Sequence, residues 1–285
     1  MNAPGRILNG RYQLVEQIGR GGSGSVFLAR DIFIRKLWAV KFLSNDSFVS
    51  ERMSINEKEV MEALDHPAFP RIVDAFSLND GYYIVSDYIE GTDLRDYLKN
   101  ERPPLRQKCR IAIKLLEALS FLHTREEPIL YLDLKPENVM ITRDGDVKLI
   151  DFGVAGRIMK ERRSSFGTKG YAAPEQYVKA ECDQRTDIFA FGMLFYSMLS
   201  LCDPNEELER QRRMIRMNNS IPRAVKKIIL KCTSGNKEGR FTDAKSVERQ
   251  IRHYLLRPKR IVIFCVMLTA VLGPPIAFYI GLGSW

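Results

Sequence analysis

Asp133, Lys135 and Asn138 fall within six consecutive positions of the stretch YLDLKPENVM, residues 131–140. A carboxylate, an ammonium and a side-chain amide so closely spaced could serve phosphoryl transfer, which needs little covalent help and much charge clamping and proton acceptance. The loop opens on Tyr131 and Leu132. Whether that opening disables it depends on what surrounds it.

A second stretch suits phosphate. IGRGGSGSV, residues 18–26, carries Gly19, Gly21 and Gly24 in GxGxxG spacing, where missing Cβ atoms let backbone amides approach phosphate oxygens. Val26 completes GxGxxGxV, and the β-prone SVFLAR that follows predicts a hairpin joining two antiparallel strands, whereas a Rossmann fingerprint opens a helix. No Gly-Lys-Ser/Thr follows, which excludes a Walker A loop. On its own, the run reads better as a glycine-rich hairpin turn that binds nothing. Lys41 in WAVKFL lies on the next expected strand, and a lysine there reaches phosphates if a carboxylate from a nearby helix holds it. Glu57 is the candidate carboxylate, on the helix face of Met61 and Leu64.

These residues need elements to hold them. RYQLVEQI, SVFLAR, LWAVKFL and GYYIVSDYI are β-rich runs bounded by turn formers. Between them, SINEKEVMEALDHP has Val60, Met61 and Leu64 at helical spacing and stops at a proline, which predicts a small sheet carrying one helix. From Asp93 onward helices dominate. LRQKCRIAIKLLEALSFLHT repeats apolar residues at i, i+3 and i+4, and TDIFAFGMLFYSML is apolar nearly all round, so a buried helix is expected there.

In order along the chain come the glycine loop, Lys41, Glu57, DLKPEN with Asp133, Lys135 and Asn138, Asp151-Phe152-Gly153, Ala173-Pro174-Glu175, DIFAFG with Asp187 and Gly192, and Arg240 in GRFTDA. This series resembles the eukaryotic-type protein kinases, specifically the membrane-anchored Ser/Thr kinases of bacteria, over about residues 10–256. The resemblance implies an α+β, bilobal protein kinase fold: a small antiparallel β-sheet lobe with one main helix over residues 10–89, and a larger, mostly α lobe over 90–256. It implies transfer of the γ-phosphoryl group of ATP, with Mg2+, to Ser/Thr hydroxyls of protein substrates, autophosphorylation through self-association included.

The same resemblance assigns roles. Asp133 would orient the acceptor hydroxyl and take its proton, and Lys135 would neutralise the transferring group. Asn138 and Asp151 would hold Mg2+ through hard oxygen ligands. Ile18, Gly19, Gly21, Gly24 and Val26 would cover the nucleotide, with Lys41, held by Glu57, on its phosphates. Backbone groups of Asp87 and Ile89 would bind the adenine edge beyond a Ser86 gatekeeper, and Asp93 would reach the ribose or a basic substrate residue. Thr168 in GTKGYAAPE would brace Asp133 and Lys135, which favours Ser/Thr over Tyr as acceptor. Arg240 and Glu175 would form a buried ion pair tying the larger lobe together.

The chain departs from the family where the latter writes His-Arg-Asp. Tyr131 can fill the histidine's volume if its hydroxyl finds a partner. Leu132 removes the arginine that clamps a phosphorylated activation loop, giving a non-RD loop in which phosphorylation cannot act through that contact. Ser164 and Ser165, beside Arg162 and Arg163, are either autophosphorylation sites in a basic segment suited to acidic substrates or part of a solvated loop. Two rivals remain: a pseudokinase-like nucleotide-binding scaffold at the membrane, and a tethered interaction module, for which the short stretch after DIFAFGMLFYSML is the support.

Composition bounds the rest. The 285 residues, 45% hydrophobic and 28% charged, are ordinary for a globular chain. Five cysteines without CxxC or Cys/His spacing argue against a disulfide scaffold or structural zinc. The net charge of +9 lies in basic runs without interleaved aromatics, so no nucleic-acid partner is expected. Met1 to Gly10 lacks the apolar run of a secretory signal. Ile261 to Ile280 is uncharged and mostly apolar, long enough to cross a bilayer core of about 30 Å, and a single-pass transmembrane helix is expected over residues 261–282. The alternative is a buried or re-entrant segment, encouraged by Gly273-Pro274-Pro275. Arg257, Lys259 and Arg260, in the basic juxtamembrane linker 257–260, put the kinase-like part on the cytoplasmic side of a cell membrane, with no extracellular sensor of its own.

Overall fold

Tyr12, Leu14, Phe27, Ala29, Trp38, Val40, Tyr83 and Val85 occupy alternating positions of β-rich runs and are all buried, so each run must be a strand with one face on a core. A computed structural model describes residues 3–21, 24–44, 64–151, 156–157, 167–178, 180–204 and 207–256. In it these runs form β2 (Tyr12–Gly21), β3 (Gly24–Asp31), β4 (Leu37–Ser44) and β6 (Gly81–Asp87), joined by β1 (Ile7–Leu8) and β5 (Ile72–Leu78). The six make one antiparallel sheet in the order β1-β2-β3-β4-β6-β5. Strand β5 is an element that alternation in the sequence did not bring out. Its IVDAFSL is half-buried along most of its length rather than alternately in and out.

The larger lobe surrounds a second apolar cluster. It comprises β7 (Gly91–Asp93), α1 (Leu94–Glu101), α2 (Leu105–His123), β8 (Ile129–Leu130), β9 (Val139–Thr142), β10 (Val147–Leu149), β11 (Gly156–Arg157), α3 (Pro174–Tyr177), α4 (Gln184–Ser200), α5 (Leu208–Met217), α6 (Arg223–Cys232) and a last helix, α7, over 244–256. Helix α4 is buried at every position from Thr186 to Met198, as its continuous apolar sequence requires. Gly192 lets it cross α6 closely, for a Cβ there would lie 2.5 Å from the Cβ of Cys232. Asp183 starts α4 by accepting from the N–H of Arg185, and Asp243 starts α7 by accepting from that of Ser246.

Glu57 and its expected helix, Phe152-Gly153, Ser164, Ser165 and the apolar segment 261–282 lie outside the described residues. Among the described residues no helix is long and apolar enough to cross a membrane.

Candidate active site

The glycine run folds as a hairpin between antiparallel strands, with Gly19 opposite Val26 and Gly21 opposite Gly24. Gly24 has φ of +126°, and a Cβ there would sit 2.2 Å from the carbonyl oxygen of Phe42. Only glycine lets β3 pass β4 that closely. Lys41 lies on β4 opposite Val26 on one side and Ile84 on the other. Its Nζ is 2.7 Å from Oδ1 of Asp151, a residue 110 positions later, so the sheet and the larger lobe meet at this ion pair.

Strand β6 ends at Asp87, beside Ser86, which pairs with Ala39 and Ile72. The Asp87 N–H donates to the carbonyl of Arg71, and its carboxylate takes Lys36 and Arg71. Burial alone would raise the pKa of that carboxylate, but the two cations and the Arg71 N–H outweigh it and hold it below the ordinary value. The N–H and C=O of Ile89 have no hydrogen-bond partner among the described residues, which leaves them able to meet a ligand edge. Asp93 is the N-cap of α1, accepting from the N–H of Asp96.

The loop between β8 and β9 is shaped by backbone bonds to one buried carboxylate. Asp187, on α4, accepts from the N–H of Tyr131 at 2.9 Å and of Leu132 at 2.7 Å, and it meets Nε2 of His123 at 2.8 Å. Leu132 thereby adopts φ of +66°, a left-handed conformation that costs a non-glycine residue about 1 kcal/mol or more. Its carbonyl is held in turn by Nε2 of Gln176 at 3.0 Å. Tyr131 is fully buried and donates its hydroxyl to the carbonyl of Ile150 at 2.5 Å, the partner its burial requires. Tyr131→Phe is therefore expected to destabilise the protein by about 1 kcal/mol, because it strands that acceptor next to Asp151, and urea denaturation measures it. No loss of stability would show the hydroxyl to be idle.

The loop delivers Asp133 into a dense set of donors. Its Oδ2 accepts from Lys135 Nζ at 2.7 Å and from Asn138 Nδ2 at 3.0 Å, and its Oδ1 accepts from the hydroxyl of Thr168 at 2.7 Å. Lys135 also donates to Thr168 at 3.0 Å, closing a ring of three side chains. The 3-10 turn Pro136–Asn138 carries Asn138 back over the loop, and its Nδ2 also meets the Asp133 carbonyl. Asn138 Oδ1 accepts no hydrogen bond among the described residues, so it can serve as a hard oxygen ligand beside the Asp151 carboxylate.

The sequence of this fold and site matches a known pattern. The family described as "Protein kinase domain" matches residues 12–254. The chain belongs to the eukaryotic-type protein kinase family. The kinase is 30% identical to the serine/threonine-protein kinase PrkC of Bacillus subtilis over 267 residues, 87% of this chain and 41% of PrkC. It is 33% identical to the serine/threonine-protein kinase pkn2 of Myxococcus xanthus over 207 residues, 68% of this chain and 25% of pkn2. The chain thus spans well under half the length of these relatives.

The kinase site also contains groups its motifs did not announce. Arg95 of α1 bridges Glu137 at 2.7 Å and Asp203 at 2.5 Å, and Asp203 accepts from the Tyr171 hydroxyl. The Arg95 bond holds the Asp203 carboxyl below its usual range. Gln176, fully buried, links the Leu132 carbonyl to the Ala173 N–H. Only the burial of a polar residue beside Ala-Pro-Glu could have signalled it.

Proposed function

We propose that this kinase is catalytically active, with ATP as phosphoryl donor, Mg2+ as cofactor and Ser/Thr hydroxyls of proteins, its own included, as acceptors. The observation that carries the reading is the set of donors around Asp133, with Lys135, Thr168 and Asn138 all within 3.0 Å of its carboxylate. That set fixes the direction in which the Asp133 carboxylate points, as a positioned proton acceptor requires.

In the proposed reaction the acceptor oxygen forms a bond to the γ-phosphorus as its proton passes to Asp133, while the bond to the bridging oxygen breaks and ADP leaves with the electron pair. Lys135 neutralises the oxygens of the transferring group, and Thr168 fixes Asp133 and Lys135 relative to each other. Lys41 orients the α and β phosphates beneath the hairpin of Gly19, Gly21, Gly24, Ile18 and Val26, and the backbone of Asp87 and Ile89 receives the adenine edge. Asn138 and Asp151 hold Mg2+, which when bound supplies charge neutralisation of the phosphates. Glu57 steadies Lys41.

Residues 10–256 form the kinase domain in this proposal, 257–260 a basic linker and 261–282 a single membrane span that keeps the domain cytoplasmic. With Leu132 before Asp133, control is of the non-RD kind, and self-association brings one copy's hydroxyls to another's site. Ser164→Ala with Ser165→Ala is accordingly expected to leave the transfer rate near that of the unaltered chain; a large loss would mean that a phosphate clamp exists elsewhere.

The direct test is the full chain with labelled ATP and Mg2+, followed by phosphoamino-acid determination. Label on serine or threonine is expected. Nucleotide binding with no transfer to any protein would replace the enzyme with the scaffold reading.

A further inference from the structure

Helices α6 and α7 line a trough of two adjoining volumes of about 510 and 390 Å3 that share Lys231, Phe241 and Gln250. Arg223, Lys227 and Lys231 recur every fourth residue, so they share one face of α6, and all three are exposed. Arg249 and His253, also exposed, recur at the same interval on α7 and face the same trough. Its floor is apolar: Phe241 is buried there, with Lys231 Nζ 4.3 Å from its ring centroid.

No carboxylate lines either volume. Of the acids on and beside α7, Glu248 and Glu117 both hold Arg252, and Asp243 caps the helix. Among the described residues Arg223, Lys227 and Lys231 form no ion pair with an acid, and Arg249 meets only the charge of the capping Asp243, so the concave surface carries an excess of positive charge. Such a surface has the chemistry of a phosphate-binding site.

Its position selects the source of the phosphate. The trough runs along α7 to His253 and Tyr254, within one turn of the helix end at 256. Four residues of the basic linker RPKR then lead to the apolar run that begins at Ile261. Five residues, even fully extended, reach only about 17 Å.

We infer that this trough docks on the headgroups of anionic phospholipids, holding the larger lobe against the bilayer that its own C-terminal segment enters. The inference rests on the proposed span at 261–282. A basic surface beside an anionic leaflet gains from each cation it brings within a Debye length, and the apolar floor accommodates the aliphatic stems.

The test uses the full chain in nanodiscs of phosphatidylcholine alone or mixed with phosphatidylglycerol, reading acetylation rates at Lys227 and Lys231 by mass spectrometry against exposed Lys99 of α1. In the anionic discs both rates are expected to fall about fivefold, the ratio that one cation's attraction to an anionic surface implies, and to recover in high salt. Arg223→Glu with Arg249→Glu should abolish the protection while thermal melting and kinase activity stay unchanged. Equal rates in the two kinds of disc, in a chain that resists alkaline extraction, would overturn the docking and leave the span standing. Release by alkaline extraction would remove the span itself. Equal protection in detergent by glycerol phosphate would overturn the membrane source in favour of a soluble phosphate ligand.

Discussion

Asp133→Asn is expected to lower phosphoryl transfer by about 10²–10⁴-fold while leaving nucleotide affinity and folding nearly intact. The substitution keeps shape and one acceptor oxygen. That oxygen can still receive Lys135 and Asn138, which share Oδ2 in the unaltered protein. The new amide nitrogen would face Thr168, whose hydroxyl now donates to Oδ1 and can rotate to accept instead. The ring of side chains survives, and what disappears is the lone pair that takes the acceptor's proton. A fall in rate with unchanged ATP binding therefore isolates proton acceptance from positioning. A rate within about tenfold of the unaltered chain would show that Asp133 is not the base and that the loop positions without accepting.

The parts of this site that the sequence disclosed are those built locally. Asp133, Lys135 and Asn138 are within six residues, and the 3-10 turn at Pro136 makes their proximity a property of the loop itself. The glycine hairpin was separable from a helix-opening turn because SVFLAR is β-prone, and β2 and β3 do pair antiparallel. Periodicity found α2 and α4, whose apolar residues face a large core. Other features depend on contacts distant in sequence. Arg95 meets Glu137 and Asp203 across 42 and 108 positions, and nothing in an exposed arginine's neighbourhood announces that. His123 and Asp187, 64 positions apart, are similar: Asp187 carried a motif, whereas the histidine sat at the end of an ordinary amphipathic helix. Strand β5 escaped because its residue types do not follow its burial: apolar Val73 is exposed, whereas Asp74 is partly buried and accepts from the Tyr12 hydroxyl.

Arg240→Ala should have the largest effect on stability, a loss of about 3–5 kcal/mol, because it leaves the Glu175 charge buried without its partner. The two groups are almost wholly removed from solvent, and the guanidinium grips both carboxylate oxygens, at 2.6 and 2.9 Å. It also donates to the carbonyls of Ser234 and Arg185 and lies over the ring of Phe189, so truncation strands acceptors as well. Arg240→Lys should recover little, since an ammonium cannot reproduce the planar fork. Adding Glu175→Gln to Arg240→Ala removes the uncompensated charge and should return part of the loss.

The pair also predicts a pH dependence. Burial by itself would raise the Glu175 pKa, but the Arg240 bonds and charge and the Thr186 hydroxyl outweigh it, so the folded-state value lies below the ordinary 4.5. The unfolded carboxylate protonates first as pH falls, so the contribution is complete above 4.5 and is lost as pH drops through the lower folded-state value. Urea midpoints followed from neutral pH downward should therefore begin to fall in the unaltered chain below 4.5, and fall less steeply in Arg240→Ala with Glu175→Gln. Parallel curves would mean that other carboxylates set the acid limit. Because Gln176, the next residue, grips the Leu132 carbonyl at 3.0 Å, loosening Glu175 reaches the catalytic loop through a single peptide unit. Activity in Arg240→Ala should then fail at a lower urea concentration than the cooperative loss of helix.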